Sequence, residues 1–70
     1  LSKYYLKDYN GAIADFTKAI ELNPYDADAY RNRGIAKEYI GDLSGACSDW
    51  IKAVNLGQID PKEWVANECN

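Results

Sequence analysis

The sequence contains no histidine. Without an imidazole, neither a Ser–His or Cys–His nucleophilic pair nor a His-ligated metal site can be built. Cysteine is scarce too: Cys47 and Cys69 are too few to define a disulfide framework, and whether they are bridged stays open. Only two prolines occur, and no apolar run approaches the ~20 residues of a transmembrane helix. Eight basic and eleven acidic residues leave a net charge of -3, with the signs interspersed rather than blocked. Nucleic acid would need a basic stripe, and an anionic membrane surface would need the same, so neither partner is expected. Gly41 and Gly45 do not form a phosphate loop, since no GxxxxGK[ST] is present and no strand precedes them.

Carboxylates are plentiful, but Asp8, Asp26, Asp42 and Asp60 each stand just before a helical stretch. They read as caps accepting from free backbone amides, not as catalytic acids. No enzyme activity, cofactor or metal is expected. The chain opens on Leu1 within a helical pattern and shows no signal peptide. It reads as a fragment or processed piece, so missing targeting signals say little about compartment, and the cytoplasm is favoured.

What the sequence does have is a copy of itself. DYNGAIADFTKAIEL (Asp8 to Leu22) and DLSGACSDWIKAVNL (Asp42 to Leu56) are offset by 34 residues and identical at seven of fifteen positions. The substitutions Phe16 to Trp50 and Ile20 to Val54 between the copies keep apolar character. A fixed period of this length signals stacked units, none of which can bury its apolar face alone.

Helical periodicity and punctuation divide the chain. Residues 1–7 read as the tail of a helix, and Asp8 as the cap of the next, which carries Tyr9, Ala12, Ile13, Phe16, Ala19 and Ile20 on one stripe. Asn23-Pro24 ends that helix. Asp26 caps a helix over 27–40, Gly41 closes it, and Asp42 caps the second copy, whose stripe is Leu43, Ala46, Cys47, Trp50, Ala53 and Val54. On that stripe Cys47 reads as a small buried hydrophobe rather than a reactive thiol. Gly57 follows, and Asp60-Pro61 predicts a short last helix carrying Trp64 and Val65.

These residues resemble the tetratricopeptide repeat family. The match is Ala12, Phe16, Ala19 and Pro24 in the first unit, and Tyr30, Gly34, Ala46, Trp50 and Ala53 in the second. The chain departs from the pattern in three places. Gln58 stands where the junction proline belongs, and Arg33 and Lys37 stand where Leu and an aromatic are usual. With Asp15 and Asp49, these two cations suggest interhelical ion pairs, and Lys3 recurs with Lys37 at the same period.

The resemblance implies an all-α chain of antiparallel helix-turn-helix repeats, a fragment of a right-handed α-solenoid. It would form a single domain over 1–70: an incomplete first repeat at 1–23, a second at 24–57, and a capping helix at 58–70. The resemblance also implies a protein–protein interaction module, binding a peptide or partner protein on the concave surface formed by the first helix of each pair. The residues there would be Asp28, Arg31, Asn32, Ile35, Glu38 and Tyr39, continued by Tyr4 and Tyr5 before them and by Lys62 after them. Some members clamp a peptide carboxylate, and Asn32 and Lys62 stand at clamp positions. Ala66 replaces a basic clamp residue, so a complete clamp is not expected. The alternative is a structural segment that stacks within a longer solenoid, or self-associates through the incomplete N-terminal repeat, with no peptide ligand of its own.

Overall fold

Two Asp caps and two left-handed glycines set the element boundaries. The computed structural model describes the backbone of residues 2–57, 62, 63, 65, 66 and 69, and the side chains among these from Asp8 onward. Three helices follow in order: α1 (Ser2–Leu22), α2 (Ala27–Tyr39) and α3 (Leu43–Asn55). The all-α, helical-repeat architecture expected from the pattern is what the described residues form.

Helix α1 stops at Asn23-Pro24. A tight turn follows, in which the Asp26 amide donates to the Asn23 carbonyl and the Tyr25 amide to Asn23 Oδ1. Asp26 then accepts from the Ala29 amide at 3.2 Å and caps α2. At the far end of α2, the Asp42 amide donates to the Lys37 carbonyl and the Gly41 amide to the Glu38 carbonyl. This is a Schellman closure, with Gly41 at φ +91° in the position that disfavours a side chain. Asp42 caps α3 through the Gly45 amide at 2.9 Å, so one residue ends α2 and starts α3. Gly57, at φ +112°, closes α3.

One expected boundary is not there. Asp8 is an exposed residue inside a continuous α1, not a cap between two helices. The physical reason lies one residue earlier. The counterpart of Gly41 in the first copy is Lys7. A left-handed turn at a residue bearing a Cβ costs ~1–2 kcal/mol, whereas continuing the helix costs nothing comparable. The expected helix start at Asp60-Pro61, and Trp64 itself, lie outside the described residues.

Helix α2 packs between α1 and α3. The core is built from small residues and one large one: Ala29 and Ala36 of α2 and Ala46 and Ala53 of α3 are at most 3% exposed, and Trp50 is 1% exposed. Gly34 makes room for the indole. A Cβ there would sit 2.5 Å from Trp50 Cδ1 and Nε1, and 3.1 Å from the Ala46 carbonyl. Burying an indole removes roughly 200 Å² from water, worth about 5 kcal/mol.

Candidate functional site

Helical spacing places Asp28, Asn32, Ile35 and Tyr39 in one row on α2, with Arg31 and Glu38 beside it. Asp28 and Tyr39 are exposed, and Arg31, Asn32, Ile35 and Glu38 are half-buried. Tyr39 does not dangle. Its ring stacks on Tyr9 of α1, with centroids 4.7 Å apart and planes 4° from parallel, yet Tyr39 remains 58% exposed. Tyr9 was read from the sequence as part of the packing stripe of α1, and its pairing with Tyr39 depends on how α1 and α2 cross. The side chains of Tyr4 and Tyr5 lie outside the described residues. Lys62 is exposed and lines a cavity of about 140 Å³ together with Ile51, Val54, Asn55 and Val65, which places it against α3.

Beneath the row lies a charge cluster that joins all three helices. Arg33 of α2 donates from Nε to Asp49 Oδ2 at 2.8 Å and from Nη2 to Oδ1 at 2.7 Å, a bidentate pair. Lys37 Nζ lies 3.1 Å from the same carboxylate. On the other side, Arg33 Nη1 donates to Thr17 Oγ1 of α1 at 3.3 Å, and that hydroxyl donates to the Ile13 carbonyl. The Arg33 guanidinium also lies 5.5 Å from the Tyr30 ring centroid. The hydrogen bond from Asp49 raises the Arg33 pKa, against burial, which pulls it down. A raised pKa on a cation adds stability at every pH below its ordinary value, so this arginine is charged throughout the working range and titrates nothing there. The two cations expected to replace apolar residues thus meet Asp49, as the sequence suggested. Asp15, the copy of Asp49, is exposed, and Lys3 lies outside the described side chains.

Cys47 is not a free thiol. It is half-buried on α3 and disulfide-bonded to Cys69, which overturns its reading as a merely buried small hydrophobe. A stripe position reveals burial but not a partner 22 residues away. Among the described residues, no group of Cys, Asp or Glu could hold a metal ion, and no helix is long and apolar enough to cross a membrane.

A comparison with family models matches residues 2–38 to the TPR repeat. Searches of curated proteins and of solved structures found no match. The matched span includes more than half of the chain, with all of α1 and nearly all of α2, and ends just after Lys37. Period, helix order, the glycine beneath Trp50 and this match agree: the chain belongs to the tetratricopeptide repeat family.

Proposed function

We propose that the chain binds a peptide or a protein partner through the α2 row, with Arg31, Asn32, Ile35 and Tyr39 at its centre and Asp28 and Glu38 at its edges. TPR repeats generally serve as protein–protein interaction modules and are typically non-catalytic. The observation that carries the finer reading is Tyr39: an aromatic held flat against Tyr9 and still 58% exposed. Such a ring offers contact area with little side-chain entropy left to lose on binding, which is why Tyr and Arg dominate binding hot spots. The neighbouring donors and acceptors, with Ile35 between them, suit an extended peptide or a partner helix of mixed polarity. Asp28 and Glu38 disfavour an acidic tail. The proposal also includes Tyr4 and Tyr5, before α2 in the sequence, and Lys62 after it.

The test is a peptide selection on the immobilised protein, followed by affinity measurements on variants. Arg31→Ala and Tyr39→Ala should each weaken a selected peptide by more than ~1 kcal/mol, while circular dichroism stays that of the parent. Lys18→Ala and Lys52→Ala, at exposed positions on α1 and α3, should leave affinity unchanged. The reverse pattern would move the binding surface off α2.

A further inference from the structure

At the C-terminal end of α2 two rings form a flat double layer, Tyr39 lying on Tyr9 with planes 4° from parallel. Tyr9 covers one face of Tyr39, so the exposure that remains falls mainly on the opposite face and the edge. Just beyond in the chain, Ile40 and Leu43 are exposed and give the platform apolar neighbours. The carboxylates set beside it in the chain are three: Asp8 precedes Tyr9, Glu38 precedes Tyr39, and Asp42 follows in the turn. Among the described side chains the cation nearest along the chain is Lys37, and it is held 3.1 Å from Asp49. Even with Lys7 set against Asp8, two carboxylates remain. A ring face carries the negative end of the aromatic quadrupole, and with acidic groups a residue or a turn away it repels anions and attracts a cation.

We propose, resting on the α2 row as the binding surface, that the Tyr9–Tyr39 platform is a subsite for an arginine of the partner peptide. The guanidinium lies flat on Tyr39, its N–H edge donates to the neighbouring carboxylates, and an aliphatic residue next to the arginine packs on Ile40 and Leu43. Arginine suits a flat ring better than lysine does. Its planar, weakly hydrated head stacks on an aromatic face while its edge still donates in pairs, whereas an ammonium is a compact, strongly hydrated point charge. The chain makes the same combination within itself: the Arg33 guanidinium lies 5.5 Å from the Tyr30 ring centroid while its edge holds Asp49 in a bidentate pair. The partner so defined is a peptide segment carrying an arginine beside an aliphatic residue, which places a positive charge on a chain of net charge -3.

Chemical-shift titration of the isotope-labelled protein tests the subsite, with acetyl-Gly-Arg-Leu-Gly-amide as the probe. The same peptide is titrated with citrulline, which keeps the planar shape and loses the charge, and with lysine, which keeps the charge and loses the plane. The arginine peptide should move the amides of Tyr9, Tyr39 and Ile40 saturably and bind ~5-fold or more tighter than either substitute. Tyr39→Leu should cancel the preference for arginine. Asp8→Asn combined with Glu38→Gln should lower the arginine peptide's affinity by ~3-fold or more, with the circular dichroism of the parent retained. Equal binding of the citrulline peptide would overturn the proposal, and so would equal binding of the lysine peptide, since charge alone would then suffice. Peptides selected on the protein that depend on Arg31 and Tyr39 yet tolerate citrulline for arginine would overturn the subsite and leave the α2 row standing. Shifts confined to α3 would overturn both.

Discussion

The Asp49 side chain is 6% exposed and serves two cations, Arg33 and Lys37, whose side chains are 17% and 21% exposed. The three positions are not equivalent. Removing the carboxylate leaves two partly buried positive charges facing each other, and a guanidinium fork with no acceptor in the α2–α3 seam. Removing Lys37 leaves the bidentate Arg33–Asp49 pair intact, and the lysine head can already reach water. Asp49→Ala should therefore destabilise the fold by about 2 kcal/mol or more, whereas Lys37→Met should change it by less than ~1 kcal/mol. Urea denaturation of the two variants decides this. If Lys37→Met proves as damaging as Asp49→Ala, the cluster depends on charge balance rather than on the bidentate geometry.

Helix boundaries were legible wherever the chemistry that sets them is local. Gly41 permits a positive φ, Asp42 reaches the Gly45 amide, and Asn23-Pro24 cannot continue a helix. Reading Asp8 as a cap carried the second copy's turn into the first, where Lys7 takes the place of Gly41 and removes what the turn requires. The ion pair on Asp49 was legible because charged residues occupied core positions and needed a partner. The Cys47–Cys69 bond and the Tyr9–Tyr39 stack were not, since each depends on how separate segments lie against each other in space. The corrected boundary makes its own prediction. Asp26→Ala and Asp42→Ala each remove an acceptor from a free helix amide and should cost about 1 kcal/mol. Asp8→Ala, exposed within α1, should be neutral within ~0.5 kcal/mol. Thermal melts of the three variants check it, and an Asp8→Ala loss matching Asp42→Ala would restore a break in α1.

The molecule is a slab of 31 × 30 × 17 Å, with α2 covered by α1 on one side and α3 on the other. Self-association would need an apolar surface on one of the outer helices or along an edge. Among the described side chains of α1, the exposed ones include Asp8, Asn10, Asp15, Lys18 and Glu21, polar groups that water solvates well. Among the described residues, the exposed large apolar side chains lie at the two turns, apart from Ile51 on α3. Leu22 and Tyr25 flank the first, and Tyr39, Ile40 and Leu43 flank the second. The turns stand at opposite ends of α2, whose 13 residues hold them roughly 20 Å apart, so neither cluster extends the other. A stable dimer buries ~1,200–2,000 Å² in total, more than a few side chains at one turn supply. A net charge of -3 on each copy adds repulsion. The oxidised protein should therefore sediment as a monomer from low to high micromolar concentration. A mass that climbs toward twice the monomer's would show a stacking surface on the solenoid, and would favour the self-association alternative over a peptide-binding row on α2.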